Sequence, residues 1–218
     1  MKSNSDPTSP EATPAGASRP WVGRSGSKRS RRDSILQCVG TILRDSRMSS
    51  LTMSDIAEAL GITKGNLYYY FRDKQDILYQ CHMRCMVQSL EALERIQAAR
   101  ERLDDPLHQL LIAHIEGMAG SPFGGVLLAD LDALSATQRR HYIARRDEFE
   151  AGVRELIQYG VARGCYRCED PKIASLSLLG AINWMPRWYQ PDGPLGPAEM
   201  ARAMARFLMR SLWIHPTN

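Results

Sequence analysis

The run Asp55-Ile-Ala-Glu-Ala-Leu-Gly-Ile-Thr-Lys-Gly-Asn-Leu67 restricts the fold of this chain more than any other stretch. Thr52 and Thr63 are good N-caps, and each opens a segment too short to stand as an isolated helix. Gly61 ends the first segment and tolerates the positive φ that a tight turn demands. Ala57 is small where two helices would cross closely, while Ile56, Leu60, Ile62 and Leu67 are spaced to hold the crossing from within. Two short helices around a tight turn are predicted.

Elsewhere apolar residues recur at three and four spacings and strand-like alternation is absent, which predicts an all-α chain of about nine helices. The first spans Asp33 to Arg47, with Ile35, Leu36, Val39, Ile42 and Leu43 on one face. The second and third follow Thr52 and Thr63, the third ending at Phe71. Asp73 opens a long fourth helix carrying Ile77, Leu78, Cys81, Met83, Cys85, Met86, Leu90, Leu93 and Ile96, which is expected to link two domains. Asp105-Pro106 and Asp170-Pro171 start the fifth and eighth helices, since proline at the first helical position forfeits no useful N–H bond. Gly120 to Gly125 interrupts the pattern before a sixth segment, Val126 to Leu134. Ser135 caps a seventh ending near Gly164, and Gly196-Pro197 introduces a ninth lasting to Trp213. The expected domains are a disordered basic arm (1–32), a three-helix head (33–78) and a larger helical domain (79–218).

The chain has 218 residues, 44% of them apolar, enough to bury a sizeable core. Its formal charge of +4 is unevenly placed: seven basic against two acidic residues fall in the first 32 positions. That arm is rich in Ser, Pro, Gly and Ala and buries too little to offset the entropy of ordering it. It either tracks DNA phosphates or is a solvated tail. No apolar run suffices to span a bilayer and the start is polar, so the expected location is cytoplasmic, away from membranes.

The turn leaves the start of the third helix free to enter a major groove, which admits one helix. Asn66 can pair with adenine and Lys64 can donate to guanine, while Gly65 removes bulk so that backbone approaches the bases. Thr52, Thr63, Tyr68, Tyr69, Tyr70 and Lys74 supply donors near helix ends for phosphate oxygens. The tyrosine run could instead be a core cluster, but Leu67 and Phe71 already occupy the inner face, so one or two tyrosines must point outward.

The stretch Leu51-Thr-Met-Ser-Asp-Ile-Ala-Glu-Ala-Leu-Gly-Ile-Thr-Lys-Gly-Asn-Leu-Tyr-Tyr-Tyr-Phe-Arg-Asp-Lys-Gln-Asp-Ile-Leu78 strongly resembles the TetR family of bacterial regulators. The Leu-Tyr-x-x-Phe-x-x-Lys tail makes the match more specific than a generic helix-turn-helix. The resemblance implies an all-helical homodimer bound to a palindromic operator on double-stranded DNA, with a C-terminal domain for ligand binding and dimerisation. The family often has His before the Phe, where Tyr70 stands here; its phenol can still reach a phosphate.

The eighth and ninth helices would pair with their symmetry mates in a four-helix bundle, to which Leu176, Leu179, Met200, Met204, Phe207, Leu208 and Leu212 offer apolar stripes, unless these fill the intrachain core. The segment Asn183-Trp-Met-Pro-Arg-Trp-Tyr-Gln-Pro-Asp-Gly193, with Arg145-Arg-Asp147, resembles members of the family that sense acyl-CoA thioesters. Pro186 is expected to kink the eighth helix. Phe123, Tyr142, Arg146, Asn183, Trp184, Arg187 and Trp188 are the candidate ligand-binding residues. Trp184 and Trp188 could equally be dimer or core aromatics, although the Arg187 guanidinium suits an anionic ligand better than a core. Arg145, Arg146 and His141 could belong to a solvated face, and Phe123 could line a pocket or fill it.

Cys165-Tyr-Arg-Cys168 and the pair Cys81 and Cys85, beside His82, would make a zinc site only if they met; reduced thiols are the expectation. No nucleophile motif, phosphate loop or helical His-Glu-x-x-His is present, and His108 and His114 are not on one helical face, so no catalytic residue, metal or other cofactor is expected. The favoured reading is a repressor released from DNA by a small-molecule effector, with acyl-CoA thioesters as candidates. The alternative is an architectural DNA-binding protein without a small-molecule response.

Overall fold

The computed structural model describes residues 28–45, 51–124 and 131–213. Among them stand eight α-helices: α1 (Lys28–Asp45), α2 (Met53–Ala59), α3 (Lys64–Tyr70), α4 (Lys74–Ala99), α5 (Pro106–Gly120), α6 (Ala136–Ala162), α7 (Pro171–Trp184) and α8 (Pro197–Met209). No strand forms among the described residues, although Tyr166 and Trp213 make one isolated antiparallel bridge. The chain is all-α, as its periodicity requires. No described helix is long and apolar enough to cross a membrane.

The count differs from nine at the expected sixth helix. Its residues 126–130 lie outside those described, and the rest form only a 3-10 turn at Leu131–Ala133 and its end. The first helix also starts earlier than expected. Lys28 to Arg32 belong to α1, and the Arg32 guanidinium lies 5.2 Å from the Phe71 ring centroid. A cation over an aromatic face gives Arg32 a place in the head. The expected arm is thereby shortened, and its first 27 residues lie outside the described part.

Capping sets the helix boundaries largely where the sequence placed them. Thr52 and Asp55 exchange backbone and side-chain bonds of 2.8 and 3.2 Å in a capping box, as Ser135 and Gln138 do at α6. Asp105 caps α5 through the His108 amide at 2.9 Å, and its other bonds reach across the fold: the Tyr166 hydroxyl and the Trp213 indole N–H, the latter at 2.8 Å, both donate to it. One carboxylate thus fixes the chain after α8 to the start of α5.

The head packs α1, α2 and α3 around Ile35, Leu36, Val39, Ile56, Leu60, Leu67 and Phe71, all buried. In the larger domain α4 packs against α5 and α6, α7 lies along α6, and α8 lies along α5. Leu107, Leu110, Leu111 and Ile115 make the inner stripe of α5 and are fully buried. Burial of each such side chain contributes about 1.5–3 kcal/mol before conformational entropy is subtracted.

Gly61 has φ +66°, and a Cβ there would meet nothing within 4 Å. Any penalty for a side chain is therefore one of backbone conformation. Gly61→Ala is expected to lower the unfolding free energy by about 1 kcal/mol, read as a lower urea midpoint. Gly65→Ala, equally open but inside a helix, should not lower it.

Two histidines are sealed in the core, and burial pushes His82 and His114 down from the ordinary 6.5 to about 4. Both rings are neutral when folded, so between these values the unfolded chain binds more protons. Stability is complete above about pH 6.5 and is lost as pH falls towards 4, with a slope of up to about 1.4 kcal/mol per pH unit for each ring. Urea titrations at a series of pH values should show this decline, and His82→Gln should remove one ring's share of the slope.

Candidate functional site

Two sites take shape, one on α3 and one between α4, α5, α6 and α7. The backbone of Leu60, Gly61 and Ile62 closes onto the end of α2 through bonds of 2.9–3.0 Å, including Ile62 N–H to the Ala57 carbonyl. Thr63 then caps α3 by accepting the Asn66 amide at 3.1 Å. Leu67, fully buried, roots α3 in the head, and Phe71 closes it below. Lys64, Gly65 and Asn66 are all exposed at the leading end, and Gly65 leaves open space where a side chain would stand.

The tyrosine run divides as helical geometry demands. Tyr68 and Tyr69 are exposed, Tyr69 at 63%, whereas Tyr70 is half-buried and meets the Tyr69 ring edge-on at 5.0 Å. Thr52 and Thr63 are exposed although their hydroxyls serve as caps. The bonds from Thr52 to Asp55 hold that carboxyl below the ordinary carboxylate range. Lys74 has an internal use that its sequence position did not reveal: its ammonium donates to the Leu51 carbonyl at 3.0 Å, tying the start of α4 to the residue before the capping box.

The second site is a cavity of about 250 Å³, with its mouth marked by the exposed Arg146, Asn183 and Trp184. Of the seven sequence-derived candidates, Tyr142, Arg146, Asn183 and Trp184 line it. Phe123, Arg187 and Trp188 do not. Pro186 does not merely kink the eighth helix: α7 ends at Trp184, and the 3-10 turn Met185–Arg187 leads the chain away. Arg187 still lies against the mouth by stacking 5.6 Å over the Trp184 ring. Trp188 is exposed on the outside, and Phe123 is buried with its ring 3.0 Å from where a Gly40 side chain would begin.

The deeper wall was not foreseen. Cys85, Met86 and Ser89 from α4, His114 from α5, Phe149 from α6 and Leu179 from α7 complete the lining with Leu131 and Gly180. Their trace in the sequence is the polar step from Cys85 to Ser89, four apart on an apolar face, and a histidine amid the apolar stripe of α5. Ser89 Oγ donates to the Cys85 carbonyl at 3.1 Å and lies 2.9 Å from His114 Nδ1. Burial pushes the Cys85 thiol and the Tyr142 phenol each up to about 12. Cys81 and Cys85 are buried, whereas Cys165 is exposed and Cys168 half-buried, and no group of three His, Cys, Asp or Glu among the described residues could hold a metal ion.

Two elements join the sites. The helix α4 carries Lys74 at the head and Cys85 to Ser89 at the cavity, and Arg84 on it pairs with Asp33 of α1 at 3.2 Å. The second element is the contact of Gly40 with Pro122 and Phe123 just beyond α5, where backbone and ring leave no room for a side chain.

Residues 48–81 match the family description "Bacterial regulatory proteins, tetR family", and residues 89–212 match "Tetracyclin repressor-like, C-terminal domain". The HTH-type transcriptional repressor KstR2 of Mycolicibacterium smegmatis is 26% identical over 179 residues, covering 79% of this chain and 86% of its own. Among solved structures, the TetR family regulator PfmR of Thermus thermophilus is 30% identical with a TM-score of 0.73, covering 81% of this chain and 97% of its own. AibR, solved in complex with isovaleryl coenzyme A and operator DNA, shares the fold at 23% identity and a TM-score of 0.66, covering 81% and 96%. With matches to both halves and a fold shared from head to α8, this chain belongs to the TetR family of bacterial transcriptional regulators.

Proposed function

We propose that the chain is a repressor that binds a palindromic operator as a homodimer and is released by a small-molecule effector, with acyl-CoA thioesters as the candidate class. The observation that carries this reading is α4, a single helix that enters the head at one end and walls the cavity with the other. A ligand that fills the cavity must meet Cys85, Met86 and Ser89, and a displacement there is passed along a rigid rod to the reading head. Gly40 and Phe123 supply a second contact by which α5 and the head move together.

Support for the ligand class comes from the mouth and from relatives. Arg146 and the stacked Arg187 place guanidinium groups near the opening, suited to the phosphates of a nucleotide carrier. The cavity is smaller than the roughly 300–1,000 Å³ of many ligand pockets, which fits a short acyl group inside with its carrier outside. The relative AibR was solved with such a thioester and with operator DNA, and the relative KstR2 is named a repressor. For the dimer, α7 and α8 expose Ile173, Leu176 and Phe207, the last at 71%, an apolar surface that a second copy would cover.

In the head, Lys64 and Asn66 read base edges, Gly65 admits the backbone, and Thr52, Thr63, Tyr68, Tyr69 and Tyr70 face phosphates. With a duplex selected by the protein from a random library, Asn66→Ala is expected to weaken binding by about 1–3 kcal/mol, roughly 5- to 150-fold, and to relax specificity at one position. Tyr69→Phe should weaken all sequences alike and more modestly. Unchanged anisotropy titrations for both Asn66→Ala and Lys64→Ala would remove α3 as the reader.

Adding acyl-CoA thioesters to the protein–duplex complex should lower its anisotropy, with Arg146→Ala raising the concentration required. If no thioester or free acid in a broad panel releases the duplex, the architectural alternative replaces the effector-controlled repressor.

A further inference from the structure

The deep wall of the cavity carries a hydrogen-bonding arrangement that an ordinary hydrocarbon would leave unused. Ser89 Oγ lies 3.1 Å from the Cys85 carbonyl and 2.9 Å from His114 Nδ1, and we assign its hydrogen to the carbonyl, so that its oxygen accepts from a proton on Nδ1. The ring is neutral because burial disfavours the imidazolium. Nε2 is therefore a bare acceptor, and it makes no hydrogen bond among the described residues. Tyr142 offers the complement. Its ring rests 4.9 Å from His82, and its hydroxyl feels the Cys85 thiol and the Arg146 guanidinium. Both side chains are more than nine-tenths buried, at 6% exposure for His114 and 3% for Tyr142, and both line the cavity.

We infer that His114 and Tyr142 form an oxygen-selective subsite, so that the effector's enclosed part is a hydroxylated short acyl group and not a plain alkyl chain. A hydroxyl satisfies both residues, donating to His114 Nε2 and accepting from Tyr142. A ketone can accept from Tyr142 alone, and an alkyl group buries both polar atoms without a partner. Met86, Leu131, Phe149 and Leu179 provide the apolar walls for the remaining carbons. The inference rests on the reading that the cavity takes an acyl group.

The test is calorimetric titration of the full chain with 5-hydroxyhexanoyl-, 5-oxohexanoyl- and hexanoyl-CoA. The expected order of affinity is hydroxy, then oxo, then saturated, with about tenfold or more between the first and last. Tyr142→Phe, which deletes one oxygen and keeps the ring against His82, should bring that ratio to within about twofold, and His114→Leu should do the same. Equal binding of the three probes, or a ratio that survives in Tyr142→Phe, overturns the subsite while leaving the acyl cavity standing. Failure of all three to bind overturns the acyl reading and the subsite with it.

Discussion

A helix resists bending because every turn is bonded to the next, and this structure uses one helix as a shared wall. The 26 residues of α4 span about 39 Å at 1.5 Å per residue. Its first turn is held by the Asp73 cap and by the Lys74 bond to Leu51, and its middle by Arg84 with Asp33. Its inner face supplies buried residues to both the head and the larger domain, from Ile77 to Leu93. Neither domain could shift along or around this axis without breaking contacts in the other, and the head's orientation is thus a property of the whole chain.

The division between head and cavity is also one between local and non-local information. Thr52, Asp55, Gly61, Thr63 and Leu67 act within a few residues of themselves, so their spacing alone announced the two caps, the turn and the buried root of α3. The Asp-Pro starts of α5 and α7 were legible for the same reason. The cavity draws its lining from four helices, and periodicity shows that a face is buried without showing what it faces. Arg146, Asn183 and Trp184 were reached through a resemblance in sequence pattern, not through geometry. His114 was dismissed because it shares no helical face with His108, although its partner is Ser89 on another helix.

Where the sequence misled, local chemistry explains it. Arg31 and Arg32 read as part of a disordered basic arm, yet α1 begins at Lys28 and gives Arg32 an aromatic face. Trp184 and Trp188 stand four apart in the sequence, but α7 stops before Pro186 and does not carry both on one face. Lys74, a candidate phosphate donor near a helix start, also has an internal role, since its ammonium reaches a carbonyl of its own chain.

The burial of Cys85 has a chemical consequence of its own. A thiolate that met an acyl thioester would attack its carbonyl and expel the carrier thiolate, leaving the acyl group on the protein until another thiol took it back. Burial pushes the thiol up to about 12, so that Cys85 stays protonated at neutral pH. The same apolar surroundings that line the cavity therefore keep its sulfur inert, so that under the proposed function a reactive thioester could come and go without leaving a covalent record.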